Sequence, residues 1–162
     1  MSVVSLCDSA FCDGLAERIY SAWAHCRIPG RKKLEFCLLD ESAESGGALP
    51  HIVGKGIREI DWQSIGYSDC DFIMDICSND IRVFYLGAIA YFLAVKTENS
   101  SVSEKLENIV VTLVDSDSDG ICRFLTEKQK LCLIELMKGI EHAAKTTSNL
   151  KNDCGSDGDA KH

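Results

Sequence analysis

Residues Ile81–Val95 read IRVFYLGAIAYFLAV. Within them only Arg82 and Gly87 are neither apolar nor aromatic, and Asp80 and Lys96 close the two ends. A helix that is apolar nearly all round is buried on most of its sides. The block therefore reads as the central element of a compact, mainly helical core, inside a helix over about 79–97 with Ser78 as its cap. It is shorter than the roughly 20 apolar residues a membrane span needs, so the expectation is a chain without a membrane segment. The block itself carries no chemistry.

Outward from this block the periodicity stays helical. Phe11, Leu15, Ile19 and Trp23 recur every four residues, with Ala16, Ala22 and Cys26 widening the stripe. The pattern predicts an amphipathic helix over about 9–26, capped by Asp8 or Ser9 and ended by Pro29-Gly30. Leu34, Phe36 and Leu38 alternate with Glu35 and Cys37, the signature of a short strand. Residues 40–56 read as a loop, rich in Gly and containing Pro50. Ser68 with Asp71 resembles a capping box and opens a short helix over about 69–77 that buries Phe72, Ile73 and Ile76.

The C-terminal half carries two further capping boxes. Ser101 with Glu104 precedes Leu106, Ile109, Val110, Leu113 and Val114 at helical spacing. Thr126 with Gln129 opens a helix over about 127–145, with Leu133, Ile134, Met137 and Ile140 on its core side and Leu136 at the margin. From Thr146 onward apolar periodicity is missing, which predicts a disordered tail over 147–162. The fold expected is a single mainly α domain over 1–146 with five or six helices, leaving room for one or two short strands near residues 33–39 and 57–61.

Three segments together resemble a family of small bacterial proteins of unknown function, built mostly from helices. They are Ile19-x-x-Ala22-Trp23 followed by Pro29; Trp62 followed by Phe84-Tyr85-Leu86-Gly87-Ala88; and Phe124-Leu125-Thr126 with Gln129. The likeness covers about residues 15–143. It departs from the family pattern at Gly87, where a Pro commonly stands, which bears on a kink in that helix. The resemblance implies a helical fold and a bacterial cytosolic setting, and it brings no catalytic residues.

Composition narrows the function classes. Nine cysteines (Cys7, Cys12, Cys26, Cys37, Cys70, Cys77, Cys122, Cys132 and Cys154) form no C-x-x-C pair, so zinc spacing is missing. The first residues, MSVVSLCDSAF, lack the basic start of a secretory signal. The two facts together predict reduced thiols in the cytoplasm. Net charge is −8, which argues against nucleic acid and is compatible with a basic protein partner. Six acids, Glu59, Asp61, Asp69, Asp71, Asp75 and Asp80, crowd one segment; capping and solubility explain such a cluster as readily as recognition does. Arg27, Arg31, Lys32 and Lys33 form the one basic run.

Asp115, Asp117, Asp119 and Gly120 give D-x-D-x-D-G, the first half of a calcium loop. The closing bidentate acid should stand at position 12, which is Thr126; Glu127 comes one residue late, and Arg123 occupies position 9. An acidic turn between helices, with Gly120 at positive φ, explains the same letters. His25-Cys26 suggests a nucleophile and its base, but neighbours on a helix point about 100° apart and do not readily form the required bond. Trp23, Trp62, Phe84, Tyr85, Tyr91 and Phe92 read as core rather than as a ligand pocket. No nucleophile elbow, P-loop, dinucleotide fingerprint or His-Glu-x-x-His zinc motif is present. The expectation is a non-enzymatic, cytosolic bacterial protein that binds another protein, in concrete form a toxin-neutralising (immunity-type) protein whose acidic face occludes a basic cleft. No cofactor is expected. The rivals are a calcium-binding module at the Asp115–Gly120 turn and a small enzyme with a dispersed site.

Overall fold

A computed structural model describes the backbone of residues 14–37, 43–96, 98–116 and 120–159, and the side chains of these except at 43–46 and 146–159. The fold is mainly helical. In chain order α1 covers 14–22, α2 Arg31–Cys37, α3 Ala43–Ile52, α4 Trp62–Ile65, α5 Asn79–Val95, α6 Ser101–Asp115 and α7 Glu127–Asp159. One-turn 3-10 helices stand at Phe72–Asp75 and Ile121–Phe124. Among the described residues there is no strand, and no helix is long and apolar enough to cross a membrane.

The apolar block does occupy the centre. Helix α5 packs against α6, α7 and both 3-10 turns. Ile81, Val83–Ala90, Leu93 and Ala94 are all buried, and Asp80 sits in the first turn, where a carboxylate favours the helix dipole. Trp23 follows α1 and lies across this helix. Its indole Nε1 donates to the Val83 carbonyl at 2.7 Å. The close approach depends on Gly87, because a Cβ there would stand 2.5 Å from Nε1 and 2.6 Å from Cγ of Trp23. Gly87 is thus a seat for an indole ring.

Helices α6 and α7 close the core from the C-terminal side. In α6 the expected stripe is buried at Leu106, Ile109, Val110 and Leu113. Its capping box lies one residue earlier than the sequence suggests: Ser100 accepts from Ser103 N–H, and Ser103 Oγ accepts from Ser100 N–H. The Thr126–Gln129 box forms as expected, with Thr126 N–H donating to Gln129 Oε1 at 2.9 Å and Gln129 N–H to Thr126 Oγ1 at 3.2 Å. Gly120 adopts the left-handed conformation at φ 70°.

Several expectations change. The strand near 33–39 is instead helix α2 through Cys37, with 38–39 outside the described residues. Leu34 and Cys37 are its buried residues, so spacing of three, not alternation, faces the core, and Phe36 is left exposed. The strand near 57–61 is a series of turns that buries Ile57 and Ile60. The loop over 40–56 contains α3, despite its glycines and Pro50. Ala48 and Ile52, four apart and fully buried, hold it against α4 and the first 3-10 turn, so packing overrides poor propensity. The helix over 69–77 shrinks to the 3-10 turn at Phe72–Asp75, although Phe72, Ile73 and Ile76 are buried as expected.

On α7 the core stripe is rotated relative to expectation. Cys132, Leu133 and Leu136 are buried, while Ile134 is 44 % exposed. The buried Gln129 sets this face, since 129, 132, 133 and 136 share one side of a helix. The periodicity argument ends this helix near 145; its backbone continues to Asp159, and no proline interrupts it. Residues 141–145 are all exposed, so the helix leaves the packed body after Ile140.

Candidate functional site

Trp23, Val83 and Gln129, from three separate parts of the chain, meet at one joint. Helix α1 ends at Ala22, and its last carbonyls need donors from outside the helix. The Gln129 side chain, 1 % exposed, supplies one: Nε2 donates to the Ala22 carbonyl at 3.2 Å, while Oε1 caps α7. Together with the Trp23–Val83 bond, this amide ties α1 to α5 and α7. Holding this joint is a structural task.

An open cavity of about 470 Å³ lies beside the joint. Val83, Phe84 and Phe124 give it an apolar side, and His25, Cys26 and Gln129 a polar one, with Lys33 and Asp80 on the rim. Here His25 and Cys26 do approach, contrary to the helical argument, with Cys26 Sγ 3.8 Å from His25 Nε2. The reason is that α1 stops at residue 22, so this pair sits beyond the helix in a turn. Gln129 Nε2 lies 3.8 Å from the same sulfur. Burial pushes the Cys26 thiol up from its ordinary range, and the Gln129 contact only partly opposes it. A reactive thiol needs the opposite shift.

Glu59, Asp61, Asp69, Asp71 and Asp80 each have a local neighbour that accounts for them. Asp61 caps α4, accepting from Ser64 N–H at 3.3 Å and from Ser64 Oγ at 2.7 Å; those bonds hold its carboxyl below the usual carboxylate range. Glu59 accepts from Gly56 N–H at 2.8 Å. Asp69 is half-buried against Gly47 of α3. Asp71 pairs with Lys105 at 3.4 Å. Asp80 accepts from Ser78 Oγ and pairs with Lys33 at 3.5 Å, and it too is held below the usual range, chiefly by the Ser78 hydroxyl. Asp75 is exposed.

Composition gave no hint of Tyr67, which stands inside this acidic segment and is 57 % exposed. Lys105 fixes it in place. Its Nζ lies 4.2 Å from the ring centroid, donates to the Tyr67 carbonyl at 2.6 Å, and pairs with Asp71. One lysine from α6 thus positions an exposed aromatic ring next to a carboxylate. The basic run is also occupied: Arg31 pairs with Glu35 at 2.9 Å, and Lys33 with Asp80.

The calcium-like turn is described only at its ends. Asp115 is the last residue of α6, and Glu127 is the first of α7, exposed and paired with Lys130 at 3.3 Å. Asp117 and Asp119 lie outside the described residues. Among the described residues no group of three His, Cys, Asp or Glu side chains is placed to hold a metal. His51, expected in a loop, lies in the last turn of α3. Of the six aromatics, Trp23, Trp62, Phe84 and Tyr85 are buried and Tyr91 and Phe92 partly so, as core residues are.

No family model, curated protein or solved structure matches the chain.

Proposed function

We propose that this chain is a non-enzymatic protein that binds a basic protein partner through its 59–80 segment, with Tyr67 as the anchor. The observation that carries the proposal is the exposed Tyr67 ring held by Lys105 beside Asp71. A large, amphipathic ring already held in place loses little entropy on binding, and tyrosine is enriched among the residues that dominate binding energy. Carboxylates around such an anchor steer a basic partner and suppress wrong ones.

The concrete form of this proposal is a bacterial cytosolic, toxin-neutralising (immunity-type) protein that occludes a basic cleft. Membership of the small helical bacterial family whose signatures the chain resembles belongs to the same proposal. The test is affinity capture from lysate of the source cell, at low and high salt, with wild type, Tyr67→Ala and Asp75→Lys. The expected result is one dominant basic protein, shed by salt and lost with either variant. A partner retained equally by all three proteins would show that this segment is not the interface.

A further inference from the structure

The described cysteines are free thiols, and two that lie far apart in sequence meet in space. Cys37 is the last residue of α2, and Cys77 stands two residues before α5. Cys77 N–H donates to the Cys37 carbonyl at 3.3 Å, and after its own burial the neighbouring Cys77 thiol is the next influence that pushes the Cys37 thiol up from its ordinary range. A direct backbone hydrogen bond keeps the two residues' Cα atoms within about 7 Å of each other, the upper limit that a disulfide spans. Cys37 is buried and Cys77 exposed. Lys33 and Asp80 are the charged groups next to Cys37.

We propose that Cys37 and Cys77 are a redox modification site, a dithiol that closes to a reversible disulfide with a low-molecular-weight disulfide such as oxidised glutathione as oxidant. Cys77, the exposed sulfur, reacts first. Its thiolate attacks one sulfur of the oxidant, a mixed disulfide forms, and one thiol leaves. The Cys37 thiolate then attacks Cys77 Sγ. The Cys37–Cys77 bond forms, the mixed disulfide breaks, and the second thiol leaves. Two electrons pass to the oxidant, and the two thiol protons end on its two product thiols.

The bond would close a loop of about 40 residues and restrict the unfolded chain accordingly. It would also fasten the end of α2 to the lead-in of α5, beside the Lys33–Asp80 pair on the rim of the cavity. The structural effect is to lock one wall of that cavity.

The test uses the full chain in glutathione buffers of rising oxidised fraction, followed by alkylation of remaining thiols, digestion and mass spectrometry. The expected product is a single linked peptide pair containing Cys37 and Cys77, two hydrogens lighter than the reduced pair, with the other cysteines alkylated. Oxidation should raise the Tm by ~5–10 °C. Cys37→Ala should leave a lasting glutathione adduct on Cys77. Cys77→Ser, a change at an exposed position, should abolish both the cross-link and the Tm rise. Alkylation of both residues in wild type throughout the series, a permanent adduct on wild-type Cys77, linkage to any other cysteine, or a Tm rise that survives Cys77→Ser would each overturn the proposal.

Discussion

Replacing Gly87 by alanine should be far more damaging than a one-carbon change within a helix normally is. Propensity alone predicts a gain of about 1 kcal/mol, because alanine is the best helix former and glycine among the worst. The structure predicts the opposite. The new Cβ would stand 2.5 Å from Trp23 Nε1 and 2.6 Å from Cγ, against an ordinary contact of 3.4–4 Å. The neighbour is a buried ring, not the free end of a flexible chain, so the indole must withdraw by roughly 1 Å. That withdrawal stretches the 2.7 Å bond from Nε1 to the Val83 carbonyl to about 3.7 Å, past hydrogen-bonding range. Overpacking costs about 1–3 kcal/mol and an unmade buried bond about 1–3 more. After the propensity gain, a net loss of ~1–5 kcal/mol remains. Urea unfolding followed by tryptophan fluorescence reads this as a lower midpoint at unchanged slope. Gly139→Ala is the internal control, since nothing lies within 4 Å of a Cβ there; it should be neutral or stabilising by up to ~1 kcal/mol. Trp23→Leu combined with Gly87→Ala should cost clearly less than the sum of the two changes. If Gly87→Ala proves as stable as wild type, the ring does not rest on this glycine and the account of the joint fails.

Gln129→Ala should cost ~2–4 kcal/mol in the same assay, because it removes the α7 cap and the donor to the Ala22 carbonyl at a buried position; a loss below ~0.5 kcal/mol would show that the amide is not the tie described. Tyr85→Phe should leave stability unchanged or raise it by up to ~1 kcal/mol, because the buried Tyr85 hydroxyl has no hydrogen-bond partner among the described residues; a loss greater than that would mean the hydroxyl is satisfied. Acid should weaken the fold through Asp61 and Asp80. Their folded carboxyls titrate below the unfolded value of about 4, so their contribution is complete above that pH and disappears as pH falls through the folded values. Urea midpoints measured from pH 7 to pH 2.5 should decline below about pH 4, and less steeply in Asp61→Asn.

Where sequence and structure agree, the agreement rests on local patterns strong enough to act alone. The block at 81–95 has no polar face to offer water, so its burial follows from composition. Thr126 and Gln129 satisfy each other across one helical turn, which spacing alone specifies. Where they differ, a weak local signal met a partner distant in the chain. Leu34, Phe36 and Leu38 alternate as a strand would, yet Leu34 and Cys37 are the residues that face the core. Residues 43–52 hold Gly46, Gly47 and Pro50, poor helix formers, and are helical because Ala48 and Ile52 are packed by α4 and the turn at Phe72–Asp75. His25 and Cys26 approach because α1 stops four residues sooner than its apolar stripe suggests.

The same division applies to the candidate sites. The acidic segment is plain in the sequence, because charge is a property of composition. Its exposed aromatic ring is not, because Tyr67 is positioned by Lys105, 38 residues away in the chain. The cysteine count is plain as well, but which thiols face one another is set by how α2 meets the start of α5. By itself the sequence determined the helical class, the buried central helix, the cap at Thr126 and the excess of acid, since each follows from spacing or composition within a few turns. Only the tertiary structure decided the seat of Trp23 on Gly87, the Gln129 tie to α1, the exposed Tyr67 and the Cys37–Cys77 pair, since each joins residues that only the packing of distant helices brings together.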